Sequence, residues 1–107
     1  KNSEILQLDL RNRDDIREKV NNILSRLQIS CLINNAGVTA FKTIADTSEE
    51  ETDNILQTNL SGAIFITKIV LPFMIEKRGG KVVNILSVAA NTIFKKSGVY
   101  AASKAGL

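Results

Sequence analysis

A serine, a tyrosine and a lysine near the end of the sequence have the types and the spacing of a proton-transfer site. Ser87 precedes Tyr100 by thirteen positions, and Lys104 follows Tyr100 by four. The stretch around the last two is rich in Ala and Ser and predicts a helix, on which residues four apart share one face. An ammonium beside a phenol favours the phenolate, so such a tyrosine can act as a general acid or base near neutral pH. The serine hydroxyl, arriving from a strand end, can hold the same substrate oxygen.

Each of these residues also has an ordinary structural interpretation. The pair Tyr-x-x-x-Lys occurs often by chance on surface helices. A serine at the end of a strand commonly caps a loop. The pattern therefore needs support from the elements that would position it.

The rest of the sequence alternates short apolar runs with amphipathic stretches, which predicts an α/β fold with parallel strands. Ser48 or its neighbour Thr47 can cap the longest helix, because a glutamate follows each of them by three positions. Pro72 is expected to kink or break that helix near residues 70–71. The predicted strands are 4–9, 29–34 and 81–86, and the predicted helices are 14–27, 49–77 and one that begins near 97.

Composition excludes several classes of protein. The 107 residues, of which 44% are apolar and 23% charged, suit one modest globular domain. The net charge of +3 is dispersed, and the only basic runs are 77–78 and 95–96, so nucleic-acid binding is not expected. Histidine is absent, which removes Ser-His-Asp and Cys-His nucleophile systems and the common zinc sites within this sequence, and no metal is expected.

The cellular location is predicted from what the sequence contains. Its single cysteine, Cys31, excludes an intramolecular disulfide and fits a reducing compartment, and we expect it to be a small buried side chain. No apolar run approaches the ~18 residues of a membrane span. A cytoplasmic protein is therefore expected. Because the sequence starts at Lys1 without a methionine, the natural amino terminus is expected to lie further upstream.

Two further motifs make the pattern of Ser87, Tyr100 and Lys104 more specific. Residues 32–37 read Leu-Ile-Asn-Asn-Ala-Gly, and residues 58–60 read Thr-Asn-Leu within the long helix. With Ser87, Tyr100 and Lys104 they stand in the order and approximate spacing of the classical short-chain dehydrogenase/reductase family. The sequence resembles that family, and its 3-oxoacyl-[acyl-carrier-protein] reductase-like members, over nearly its whole length.

The resemblance implies an NAD(P)-dependent oxidoreductase that interconverts a carbonyl and a secondary alcohol by hydride transfer, with NADPH slightly favoured over NADH. Tyr100 would be the catalytic acid or base, and Ser87 would hold the substrate oxygen. Lys104 would support the phenolate and bind the nicotinamide ribose. Asn59 would bind a water that connects Lys104 with solvent in a proton relay. From the pattern alone, a satisfied core asparagine is an equally good interpretation of Asn59, because it lies in the apolar stripe of its helix.

The resemblance also implies cofactor contacts at two predicted strand ends. Asp9 and Leu10 would contact the adenine, and Asn35 would hold a strand end beside the cofactor. Ala36 and Gly37 would leave room for its approach to the backbone. Tyr100 and Lys104 would complete this set. Without the resemblance, Asp9 is a surface carboxylate and 34–37 a plain turn.

No glycine-rich phosphate-binding turn occurs in the sequence. We therefore expect 1–107 to be an internal part of a doubly wound Rossmann domain, namely its third to fifth strands with their helices. Strand 4–9 would then have no partner, one edge of strand 29–34 would lie open, and the piece alone would be inactive. The features that select NAD or NADP, and most of the substrate site, would lie outside it; residues 91–96 and 98–99 would line the substrate side.

The expected partners are a small carbonyl or alcohol substrate and further copies of the chain. The helix 49–77 and the helix starting near 97 would form the interface of a dimer or tetramer. The alternative hypothesis is a truncated, non-catalytic piece that serves only as an interaction module. A regulator that senses nicotinamide is a weaker third hypothesis, since a sensor needs no complete catalytic set.

Overall fold

The fold is built around two parallel strands that a long helical segment connects. The computed structural model describes residues 3–107. In chain order the elements are α1 (Arg13–Arg26), β1 (Cys31–Asn34), α2 (Glu49–Leu56), a π-helix (Gln57–Ser61), α3 (Gly62–Glu76), β2 (Lys81–Asn84), a 3₁₀ turn (Val88–Ala90) and α4 (Gly98–Gly106).

β1 and β2 lie side by side, with Asn34 opposite Asn84 at their carboxyl ends. Parallel neighbours need a long crossover, which α2, the π-helix and α3 supply. The predicted α/β class with a parallel sheet is confirmed. Because both strands run in the same direction, the loops that follow them leave the sheet at one edge, where ligands of such folds bind.

α1 forms where several local signals agree. The Asn12 side chain accepts a hydrogen bond from the backbone N–H of Asp15 and so caps the helix. Asp14 and Asp15 occupy the first turn, where the helix dipole favours negative charge. The apolar stripe of α1 packs against α3, and the buried members of this core are Ile16, Val20, Leu24, Val70 and Met74.

α2, the π-helix and α3 form one helical segment from Glu49 to Glu76. It starts with a capping box, in which Ser48 Oγ accepts from the N–H of Glu51 and the Glu51 carboxylate accepts from the N–H of Ser48. Of the two effects predicted for Pro72, the break does not occur, since α3 continues to Glu76, and a kink stays a prediction. Pro72 is exposed, so water can serve the carbonyl that loses its helical partner.

The departure from α-helical geometry lies instead at the π-helix. There the N–H of Gly62 bonds the carbonyl of Gln57, five residues back. Such a widened turn inserts one extra residue and is frequent at functional sites. The segment also has the length and composition of a membrane span, with a mean hydropathy of 1.5, but 28% of that window is already buried in the fold. Core helices of soluble proteins can have the same length and hydropathy. The value therefore shows that the segment is apolar but does not show whether it lies in a membrane.

The strands are shorter than the sequence predicts. Residues 4–9 form no strand, because the described residues place no neighbouring strand beside them to complete their hydrogen bonds. The prediction that Cys31 is buried is also wrong, as it is exposed. Alternate residues of a strand face opposite sides, and of the two sides of β1 only the one with Leu32 and Asn34 packs towards α3.

Candidate active site

α4 carries Tyr100 and Lys104 one turn apart, as the spacing predicts. Lys104 is only 4% exposed, which is rare for a lysine. Its Nζ donates a hydrogen bond of 2.9 Å to the carbonyl of Ile85, just beyond the end of β2. The same Nζ lies 5.9 Å from the centroid of the Tyr100 ring. The sheet thus fixes the ammonium beside the aromatic ring.

Ser87 and Tyr100 line one cavity of about 260 Å³. Ser87 follows β2, and its Oγ accepts a hydrogen bond of 3.2 Å from the N–H of Ala89. Ser87 therefore caps the 3₁₀ turn, which agrees with its ordinary structural interpretation. Because Ser87 Oγ only accepts in this bond, its hydroxyl proton stays free for a substrate oxygen. The other lining residues are uncharged: Thr39, Phe41, Val88, Ala89, Phe94 and Ser97.

Asn59 lies in the π-helix with no exposed surface. Its Oδ1 accepts from the N–H of Val38 and its Nδ2 donates to the carbonyl of Val38, both at 2.8 Å. The second Nδ2 proton is donated to Ser103 Oγ at 3.0 Å. The side chain of Asn59 is thus a buried amide with all its hydrogen bonds satisfied, which is one of the two interpretations that the sequence allows. The water-binding role stays a prediction, and the backbone of the π-helix, whose hydrogen bonds are irregular, would have to perform it.

Gly37 brings the loop after β1 next to the buried lysine. A Cβ atom at Gly37 would lie 3.4 Å from both Asn59 Oδ1 and Lys104 Nζ. The backbone of this loop therefore passes directly over the groups that α4 and the π-helix supply.

The strand end is held by a different asparagine from the one predicted. Asn35 is exposed, whereas Asn34 is buried and donates from Nδ2 to Thr67 Oγ1 at 3.1 Å and to Asn84 Oδ1 at 2.8 Å. Asn34 takes this role because its side chain points from the sheet towards α3, where Thr67 lies.

A second, more open cavity of about 670 Å³ collects four of the predicted cofactor-binding residues, namely Asp9, Leu10, Ala36 and Gly37. Asp9 is exposed and accepts three hydrogen bonds from Arg11, through its N–H (2.9 Å), Nε (3.0 Å) and Nη2 (2.8 Å). The bonds from the Arg11 side chain, followed by the bond from its backbone, lower the pKa of Asp9 to about 2. The Arg11 side chain also donates to Asn54 Oδ1, which ties this segment to α2.

The predicted residues thus fall into two adjoining groups. Ser87 and Tyr100 share the smaller cavity, while Asp9, Leu10, Ala36 and Gly37 share the larger one. Asn35 lies in neither lining. Across residues 3–107, no three His, Cys, Asp or Glu side chains cluster as metal ligands would.

Sequence reasoning missed Ser103. It is completely buried, accepts from Asn59, and donates from Oγ to the carbonyl of Tyr100 at 2.7 Å. The available signal was its position between Tyr100 and Lys104 on the same helix, one turn after the tyrosine.

A parallel α/β sheet with polar side chains gathered at the carboxyl ends of its strands is the arrangement of doubly wound nucleotide-binding proteins. The sequence profile of the family described as short chain dehydrogenase matches residues 1–107. The chain belongs to the short-chain dehydrogenase family.

Individual relatives agree with this membership. The chain is 38% identical over 103 residues to the 3-oxoacyl-[acyl-carrier-protein] reductase of Thermotoga maritima, covering 94% of this chain and 41% of that protein. It is 35% identical over 105 residues to the sepiapterin reductase of Chlorobaculum tepidum, covering 97% and 43%. A metagenomic short-chain oxidoreductase solved in complex with NADP superposes with a TM-score of 0.92 at 29% identity, covering 97% and 47%. The chain therefore spans less than half the length of these proteins.

Proposed function

We propose that these residues belong to an NAD(P)-dependent oxidoreductase that interconverts a carbonyl and a secondary alcohol, with Tyr100 as the catalytic acid or base. The observation that carries this proposal is that Ser87 and Tyr100 line one cavity while the buried ammonium of Lys104 lies beside the Tyr100 ring.

The proton steps follow from this arrangement. In the reductive direction Tyr100 donates its phenolic proton to the carbonyl oxygen, and Ser87 donates a hydrogen bond to the same oxygen as negative charge develops there. The ammonium of Lys104 stabilises the phenolate that is left. Because Ile85 uses one of the three Nζ protons of Lys104, two remain for a cofactor hydroxyl or a relay water.

Asn59 supports the proton path through its place in the π-helix and not through a free side-chain group. Its side chain is fully engaged with Val38 and Ser103, so the relay water that the family resemblance implies would be bound by the π-helix backbone. A proton taken from solvent along this path would restore Tyr100 after each turnover through Lys104.

The residues present fit a nicotinamide dinucleotide. Gly37 has no side chain, so the backbone is bare where a Cβ would approach Lys104 Nζ, and the open cavity with Asp9, Leu10 and Ala36 adjoins it. Asp9 and Leu10 would hold the adenine end, and Asn35, Ala36 and Gly37 would border the middle of the cofactor. Tyr100 and Lys104 would hold its ribose. When bound, the nicotinamide supplies or accepts the hydride. The NADP bound to the metagenomic relative supports NADPH as the reductant.

Further features complete the proposal. The uncharged lining of the smaller cavity supports an uncharged carbonyl or alcohol substrate. Residues 1–107 would form the third to fifth strands of a Rossmann domain, with the phosphate-binding turn and the rest of the substrate site in other parts of the protein. Alone they would be inactive. A cytoplasmic location is supported by the lack of a disulfide partner for Cys31 within this sequence.

We also propose that the protein is a dimer or tetramer assembled through the helical segment 49–77 and α4. Large apolar side chains remain exposed on α3, and a second copy would bury them. They are Ile64, Leu71, Phe73 and Ile75. The family membership does not favour the alternative hypothesis of a non-catalytic interaction module, and saturable binding of NADPH to the whole protein would contradict it.

The experiment is the substitution Tyr100→Phe in the whole protein. It removes only the phenolic oxygen, so carbonyl-dependent oxidation of NADPH should fall by about 10³-fold, while NADPH binding stays largely intact because Lys104 and the larger cavity keep their contacts with the cofactor. Thr52→Val, which removes a hydroxyl from α2, should leave the rate unchanged. Turnover retained by the Phe variant would refute the assignment of Tyr100.

A further inference from the structure

Ser103 has no role in the chemistry described so far, yet none of its surface is exposed. A buried hydroxyl without partners is costly, so its hydrogen bonds must serve the packing around it. They connect α4 with the π-helix and, through Asn59, with the loop after β1.

The direction of every hydrogen bond in this network is fixed. The N–H of Val38 can only donate, so the atom of Asn59 that faces it must be Oδ1. Nδ2 of Asn59 therefore faces the carbonyl of Val38 and Ser103 Oγ, and it donates to both. Ser103 consequently accepts a hydrogen bond from Asn59 and donates one to the carbonyl of Tyr100. No amide flip or hydroxyl rotation gives an equally satisfied alternative.

The Asn59–Ser103 hydrogen bond joins α4 to the π-helix and so restrains the rotation of α4 about its axis. Successive helical residues differ by about 100° in direction, so holding Ser103 against Asn59 also fixes the directions of its neighbours Tyr100 and Lys104. The Lys104 ammonium then reaches Ile85, and the Tyr100 side chain lines the cavity with Ser87.

We propose that Ser103 is a positioning residue that transmits the fixed geometry of Asn59 and Val38 to Tyr100 and Lys104. The inference rests on the proposed function, because it matters for catalysis only if Tyr100 exchanges the proton. It extends that function by assigning the alignment of the tyrosine and the lysine to a residue that touches neither substrate nor cofactor.

The test compares two α4 variants of the whole protein. Ser103→Ala removes both hydrogen bonds, whereas Ala102→Gly weakens the same helix at an exposed position outside the network. We expect both to lower the thermal midpoint of unfolding. Only Ser103→Ala should lower kcat, by about tenfold, with KM for NADPH nearly unchanged.

A second variant completes the test. Ser103→Cys keeps the size of the side chain and weaker hydrogen bonds, so its kcat should lie between those of wild type and Ser103→Ala. If the alanine variant does not fold, a kcat of the cysteine variant below that of wild type, with KM for NADPH unchanged, supports the positioning role, and a wild-type kcat refutes it.

The outcomes separate the two proposals. A wild-type protein that fails to oxidise NADPH with any ketone or aldehyde offered would refute the proposed function and, with it, the catalytic importance of Ser103. An active wild type, with Ser103→Ala equal to Ala102→Gly in kcat, would refute the positioning role and leave the function standing.

Discussion

The buried cluster around Lys104 and the exposed Asp9 differ in how the protein holds their side chains. Asn59, Ser103 and Lys104 are 0%, 0% and 4% exposed, and each bonds a partner on another element or loop. Asp9 is exposed, and its carboxylate accepts its hydrogen bonds from Arg11, two residues away. The buried cluster is fixed by tertiary contacts, whereas the Asp9 carboxylate is oriented by a local turn.

This contrast shows which part of the candidate site the fold holds rigid. A proton-transfer pair needs a fixed geometry, because a small misplacement of a reacting group is costly in rate. A surface carboxylate paired with arginine can keep its orientation through local bonds alone. Four substitutions test the contrast, from the largest expected effect to the smallest.

Lys104→Met removes the buried ammonium while retaining much of the side-chain volume. We expect kcat of the whole protein to fall by about 100-fold, because the Tyr100 phenolate loses its stabilising charge. Steady-state kinetics with a saturating carbonyl substrate measure the effect. Lys81→Met, at an exposed position of β2, is the matched control and should keep the wild-type rate. Equal rates for the two variants would show that burial of Lys104 serves packing only.

Asn59→Leu should cost about 3 kcal/mol in the free energy of unfolding, because it removes three hydrogen bonds, each worth about 1 kcal/mol, made by a side chain with no exposed surface. Denaturant unfolding of the whole protein measures this loss. Asn21→Leu, on the exposed face of α1, should change stability by no more than about 0.5 kcal/mol. A similar small change for Asn59→Leu would contradict the network that the structure shows.

Gly62→Ala probes the contact between the first residue of α3 and the segment that carries Asp9 and Leu10. A Cβ there would lie 2.7 Å from the carbonyl oxygen of Leu10 and 2.8 Å from its Cβ, so the segment with Asp9 must move. We expect a net destabilisation of about 1 kcal/mol, since the clash outweighs the gain in helix propensity. NADPH affinity should fall as well. Gly79→Ala, whose Cβ would meet no atom within 4 Å, should do neither.

Asp9→Asn should have the smallest effect, and that effect should depend on pH. The Arg11 bonds lower the pKa of Asp9 to about 2 in the folded protein, against roughly 3.9 in an unfolded chain. The stabilisation is therefore complete above about pH 4 and is lost as the pH falls towards 2. The difference in thermal midpoint between wild type and Asp9→Asn should be small at pH 7 and vanish near pH 2. A difference that grows on acidification would contradict this pairing.

Sequence reasoning predicted the elements and the family more completely than the contacts. The helix positions of Tyr100 and Lys104, the cap at Ser48 and the parallel α/β class were all predicted. The strand at 4–9 and the burial of Cys31 were wrong, because both depend on what the rest of the chain places nearby. Pro72 does not break its helix, and a kink there stays a prediction. Ser103 was missed, because its one signal, a position one turn after Tyr100, does not show which groups its hydroxyl contacts.

The sequence by itself determined the features that arise within one or two turns of chain, such as capping boxes, apolar stripes and the spacing of four between Tyr100 and Lys104. Only the tertiary structure decided which groups meet across the fold. The bonds of Lys104 to Ile85, Asn59 to Val38 and Asn59 to Ser103 join residues 19, 21 and 44 positions apart. Such contacts depend on how helices dock on the sheet, and side-chain periodicity gives the buried face of an element but not the atom that it will meet there.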